Sequence, residues 1–207
     1  MGVCYIIGAG EDCGLNFTPA PEDLVIAADG GYRRVQAAGI HPNLVVGDFD
    51  SLGAAPEEET VIVLPTVKDV TDTWAAIVLG QERGYREFHL YGGTGGRLDH
   101  TYANIQTLAH LAKNGMRGYL YSREQIITAV CDGTVEFDAA QRGYLSVFSH
   151  DDRCTGVTLQ GLKYELKDAE LTSSFPLGVS NEFLGKPASV TIGSGTAVLI
   201  YERTKSL

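Results

Sequence analysis

The chain has 207 residues, 44% of them hydrophobic, enough for one large domain or two modest ones. Its 16 Lys+Arg against 26 Asp+Glu leave a formal net charge of −10 at pH 7. An acidic chain repels phosphate backbones and anionic lipid, which sets aside nucleic-acid and membrane-surface binding. No apolar run reaches bilayer length, and residues 1–10 lack the basic and long apolar segments of a secretory signal. The expectation is a soluble, cytoplasmic protein. Cys4, Cys13, Cys131 and Cys154 contain no C-x-x-C pair and read as free thiols.

Taken in order, Val3–Ile7, Leu24–Ala28, Leu44–Val46, Val61–Leu64, Glu87–Tyr91 and Gly118–Tyr121 read as strands. Several are almost unbroken in apolar character, as strands covered on both faces are. Helices are expected over Tyr32–Ala38, Thr71–Arg83 and His100–Lys113, the second with an apolar stripe of Trp74, Ala75, Ile77 and Val78. Gly84 and Gly115 supply C-terminal stops. This alternation predicts an α/β domain with a mostly parallel sheet. From about Gln125 the pattern becomes short strands: Gln125–Val130, Thr134–Phe137, Tyr144–Ser149, Gly156–Leu159, Ser189–Ile192 and Thr196–Tyr201. Gly, Asp and Asn punctuate them, which predicts an all-β sandwich or small barrel. The expected division is an α/β domain over 1–124 and an all-β domain over 125–207.

Chemistry concentrates at the ends of the early strands. Asp29-Gly30-Gly31 follows one strand, Gly47-Asp48-Phe49-Asp50-Ser51 the next, and Lys68-Asp69-Val70-Thr71-Asp72 opens a helix. Ligands of open α/β sheets bind outside the carboxyl ends of the strands. Asp29, Asp48, Asp50 and Asp72 therefore converge there, and clustered carboxylates call for a cation, best Mg²⁺. Taken singly, each aspartate also reads as a turn or helix-cap residue; for Asp69 that reading is preferred, and Asp72 suits a helix first turn equally. A second loop, Gly92-Gly93-Thr94-Gly95-Gly96-Arg97-Leu98-Asp99-His100, joins a strand to a helix. Its glycines allow close backbone approach, the helix start offers N–H groups to phosphate, and Arg97 adds a charged fork. It is neither a Walker A loop nor a dinucleotide fingerprint. Alone, it reads equally as a connector.

Together these segments resemble the thiamine pyrophosphokinases, in their bacterial form. Ala28-Asp29-Gly30-Gly31, Val46–Ser51, Lys68–Asp72 and Gly95-Gly96-Arg97-Leu98-Asp99-His100-Thr101 occur in that family's order and spacing. Gly161-Leu162-Lys163-Tyr164 and Gly178-Val179-Ser180-Asn181-Glu182-Phe183 are similar to its C-terminal segments. The chain departs from the family at Trp74, where a glutamate is usual, and at Tyr102, where a leucine is usual.

The resemblance implies a Rossmann-like catalytic domain and a thiamine-binding β-sandwich. It implies transfer of a diphosphoryl group from ATP to the thiamine hydroxyl, with AMP released. Asp48, Asp50 and Asp72 become the Mg²⁺ ligands and catalytic carboxylates, with Asp29 a fourth ligand. Thr71, Arg97 and His100 are assigned to ATP. Asp99 is assigned to thiamine, either as a contact or as the acceptor of its hydroxyl proton, against a purely local role in its loop. Ser180 and Asn181 are carried over as thiamine contacts in a loop, with a turn-forming role as the alternative. A homodimer with shared sites is implied. A Mg²⁺-dependent phosphohydrolase and a thiamine-responsive binding protein are the competing classes, although the complete aspartate set weighs against a pure sensor.

Overall fold

The computed structural model describes residues 2–47, 60–63 and 70–204. The chain divides into two compact units, Met1–Thr107 with Gly118–Arg123, and Leu108–Arg117 with Glu124–Leu207. Parallel strands build the first and antiparallel strands the second, and the described residues contain three helices.

In the first unit, β1 (Cys4–Ile7), β2 (Leu24–Ala28), β3 (Leu44–Gly47), β4 (Val61–Val63) and β5 (Glu87–Tyr91) lie in the order β5-β1-β2-β3-β4, every pair parallel. β6 (Arg117–Tyr121) follows β5 at the other end of this order. All residues of β2 and β3 are buried, the physical origin of their unbroken apolar character. Three helices, α1 (Gly31–Ala37), α2 (Asp72–Glu82) and α3 (Leu98–Lys113), complete the alternation, with α3 contributing to this unit as far as Thr107. The inward face of α2 is Ala76, Ile77 and Gly80, whereas Trp74, Ala75 and Val78 are only half-buried. The expected stripe was thus rotated. A side chain at Gly80 would stand 2.7 Å from the Phe88 ring and 2.9 Å from Cys4 Sγ, so the helix packs through its smallest residue. Burial pushes the Cys4 thiol up to about 12.

The second unit holds β7 (Gln125–Cys131), β8 (Thr134–Phe137), β9 (Tyr144–Ser149), β10 (Arg153–Gln160), β11 (Leu166–Thr172), β12 (Gly178–Glu182), β13 (Ala188–Thr191) and β14 (Thr196–Glu202). Within it, β12-β9-β14-β7 and β11-β10-β13-β8 are each antiparallel. Leu145, Val147, Ala197 and Leu199 of the first set share one core with Val157, Leu159 and Val190 of the second. Two strands escape the sequence pattern. β11 is Leu-Lys-Asp-Ala-Glu-Leu-Thr with only Leu171 buried, an edge strand with little apolar burial to reveal it. β12 carries Ser180 and Asn181, read from sequence as loop residues; Asn181 pairs with Leu145 of β9, while Ser180 falls in the register shift before it with φ +58°.

Candidate active site

Because β1, β2 and β5 run parallel, their carboxyl ends reach the same sheet edge. The segments that leave them, Gly8–Gly10, Ala28–Asp29 and Gly92–Gly96, line one cavity of about 650 Å³ together with the starts of α2 and α3. Asp29 turns the chain out of β2 with φ +47°, a left-handed conformation that aspartate tolerates better than most residues. Its N–H donates to Val46 O at 2.8 Å and its carbonyl accepts from Tyr32 at 3.1 Å. Gly31 lets the chain enter α1, since a Cβ there would collide with the Ile7 carbonyl.

Thr71 caps α2, its hydroxyl accepting from Trp74 N–H at 3.1 Å, and Asp72 occupies the helix first turn. Both line the cavity, so the capping and site readings of this motif are compatible. At the start of α3, Arg97 and His100 line the same cavity. Asp99 lies between them in sequence but is not on the wall; it pairs with Arg97, Nη2 to Oδ2 at 2.5 Å, with both side chains well exposed. Hydrogen bonding from Arg97 holds the Asp99 carboxyl below its ordinary range and raises Arg97 further.

The structure therefore brings Asp29, Thr71, Asp72, Arg97 and His100 to one cavity. Asp48 and Asp50 lie outside the described residues. Among the described residues no group of three metal-ligating side chains occurs, and Asp29 and Asp72 are the carboxylates on the wall. A pair of carboxylates with adjacent hydroxyl and backbone oxygens is a hard-oxygen donor set, chemically suited to Mg²⁺. The sequence reading missed the Gly8-Ala9-Gly10 wall, whose signal is a glycine pair directly after an apolar strand. It also missed Asn104, which is buried and donates to Gly93 O at 2.7 Å, fixing the glycine-rich loop. Ser180 and Asn181 belong to the second unit. Ser180 is exposed; Asn181 is buried, accepting from Tyr164 N–H at 2.9 Å and donating to Tyr164 O at 2.7 Å.

A parallel-sheet unit with a glycine-lined cavity at its carboxyl edge, joined in sequence to an antiparallel β unit, is the arrangement of two-part α/β proteins that bind ligands at the strand ends. Comparison with known proteins carries this further. The thiamin pyrophosphokinase catalytic-domain model matches residues 20–120, and the thiamin pyrophosphokinase vitamin B1 binding-domain model matches residues 134–198. The chain is 27% identical over 184 residues to the thiamine pyrophosphokinase of Bacillus subtilis (strain 168), covering 86% of each. Crystal structures of thiamine pyrophosphokinase from Bacillus subtilis (TM-score 0.85, 26% identity, 97% of this chain and 98% of that one) and of thiamin pyrophosphokinase from Geobacillus thermodenitrificans (TM-score 0.84, 27% identity, 99% of each) share its fold. The chain belongs to the thiamin pyrophosphokinase family, enzymes that convert thiamine and ATP to thiamine diphosphate and AMP.

Proposed function

We propose that the first unit holds ATP and its metal, and that residues 1–124 and 125–207 act as catalytic and thiamine-binding domains. We read the first as Rossmann-like and the second as a β-sandwich; the β5-β1-β2-β3-β4 order and the core shared by the two antiparallel sheets support this. The observation that carries the site is the joint cavity of Asp29, Thr71, Asp72, Arg97 and His100. Asp48, Asp50 and Asp72, with Asp29, hold Mg²⁺, which when bound offsets charge on the phosphate oxygens. Thr71, Arg97 and His100 orient ATP so that the thiamine hydroxyl meets the β-phosphorus in line with the leaving AMP.

Thiamine is held by Ser180 and, through the Lys163–Tyr164 segment, by Asn181 of one subunit and by Asp99 of a second, in a cytoplasmic homodimer. Exposed Tyr144, Tyr164, Phe175, Leu177 and Val179 beside β12, and exposed Leu98 and Tyr102 on α3, support an interface of this kind. The arrangement of Asn181 makes its contribution indirect: it presents the Lys163–Tyr164 segment rather than offering an open amide.

The deciding experiment incubates purified protein with thiamine, ATP and Mg²⁺ and resolves the nucleotide products. AMP and thiamine diphosphate in equal amounts are expected. ADP with thiamine monophosphate would place the attack at the γ-phosphorus and overturn the reading, and AMP without any thiamine requirement would indicate a hydrolase.

A further inference from the structure

Arg34, on α1, points away from its own helix and into the turn that follows β1. Its Nη1 donates to Gly8 O at 3.0 Å and Glu11 O at 3.2 Å; its Nη2 donates to Ala9 O at 3.1 Å and to Gly10 O. Four successive carbonyl oxygens thus converge on one guanidinium. On its N–H side the same segment is fastened to the glycine-rich loop: Gly8 N–H donates to Tyr91 O at 2.7 Å, Gly10 to Gly92 O at 2.7 Å and Glu11 to Thr94 O at 2.6 Å. Gly92 is where these parts meet, since a Cβ there would collide with Arg34 Nη1 and Gly8 O. Gly8, Ala9 and Gly10 line the cavity; Arg34 does not.

We propose that Arg34 is a positioning residue for the polyphosphate, acting through the 8–11 turn rather than by touching nucleotide. This rests on the assignment of the cavity to ATP. Four carbonyl dipoles aimed at one point concentrate negative potential beside a site that must accept a highly charged anion. A guanidinium, always charged and carrying planar donors in a fixed fork, neutralises that point and holds the turn against the Gly92–Thr94 segment of the glycine-rich loop. A lysine supplies the charge without the fork and cannot gather four oxygens in this geometry.

The test compares wild type, Arg34→Lys and Arg34→Gln as full-length protein, by steady-state kinetics, thermal melting and calorimetric ATP binding. Expected is an increase of about tenfold in Kd and KM for ATP in both variants, with KM for thiamine within about twofold of wild type. A merely structural clamp would lower the melting temperature and the active fraction while leaving those constants unchanged. Calorimetric affinity is a property of the folded fraction, since partial unfolding lowers the stoichiometry instead. Unchanged ATP affinity in Arg34→Lys and Arg34→Gln, with wild type binding ATP, would overturn this inference alone. Failure of wild type to bind ATP would overturn it together with the site assignment.

Discussion

Arg97 and Asp99 form a two-pronged ion pair at the start of α3, Nε to Oδ1 at 3.2 Å and Nη2 to Oδ2 at 2.5 Å. Two residues assigned to different substrates are therefore bonded to one another. The pair keeps Asp99 a carboxylate of depressed basicity, so it is better suited to hold a cationic or hydrogen-bonding substrate than to accept a proton while Arg97 remains bound. Loss of one partner has separable consequences. Arg97→Gln should raise KM for ATP by about tenfold, the weight of one charge-assisted hydrogen bond. Asp99→Asn should leave KM for ATP within about threefold and depress thiamine turnover. Steady-state kinetics with each substrate varied in turn checks both. A shift in ATP KM for Asp99→Asn as large as that for Arg97→Gln would contradict the division of roles.

The metal assignment predicts that Asp48→Asn, Asp50→Asn or Asp72→Asn each nearly abolishes turnover. An amide preserves shape but not the charge that balances a divalent cation. The melting temperature should barely fall for Asp48→Asn and Asp50→Asn, or rise slightly as carboxylate repulsion is relieved. Wild-type activity at limiting Mg²⁺ in any of the three would remove that residue from the ligand set.

A shared thiamine pocket predicts complementation between inactive subunits. Asp99→Ala and Ser180→Ala should each be poor enzymes alone and regain activity when mixed under conditions of subunit exchange. In the mixed dimer one site receives both defects and the other neither. A pocket built within one chain places one defect in each site and yields no recovery, so exchange proven by labelling without recovered activity would refute sharing.

Stability should depend on pH through Asp151. Its Oδ1 pairs with Lys113 Nζ at 2.6 Å and its Oδ2 accepts from Thr196 N–H at 2.9 Å. Burial acts to raise its pKa, but the hydrogen bonds from Lys113 and Thr196 together outweigh it, leaving the group below the ordinary 3.8. A carboxyl depressed on folding contributes stability above its unfolded value and loses it as pH falls through the folded value. Asp151→Asn should therefore destabilise the protein by about 1 kcal/mol at neutral pH, a figure reduced for partial exposure. The difference from wild type should shrink as pH drops below 3.8. Thermal melts across that range read it directly, and a gap that persists undiminished at low pH would exclude the ion pair as its source.

Asn181 is expected to matter more to folding than its polar identity suggests. Asn181→Ala leaves the part-buried Tyr164 N–H and C=O without their amide partner and should cost about 1–2 kcal/mol, whereas exposed Ser180→Ala should stay within about 0.5 kcal/mol. Chemical denaturation of the two variants separates them, and equal stability would show that the Asn181 clasp is replaced by water.

Much of this protein is legible in its residues alone. Unbroken apolar runs such as Leu24–Ala28 and Leu44–Val46 mark strands buried on both faces, and Asp29-Gly30-Gly31 and Gly92–Gly96 mark strand ends suited to a cation and to phosphate respectively. These signals are local: they depend on residue type and on separation along one segment. What tertiary structure alone decided is non-local. β11 is a strand because β10 pairs with it, despite its charged residues. Asn181 looks like an open polar contact until Tyr164, 17 residues earlier, occupies both ends of its amide. Arg34 lies within the predicted helix Tyr32–Ala38 with nothing in the sequence to name its partner; the parallel order of β1 and β2 brings the 8–11 turn within reach of its guanidinium. A side chain's partner is set by which strands lie adjacent, and strand order depends on the packing of the whole sheet rather than on any single segment.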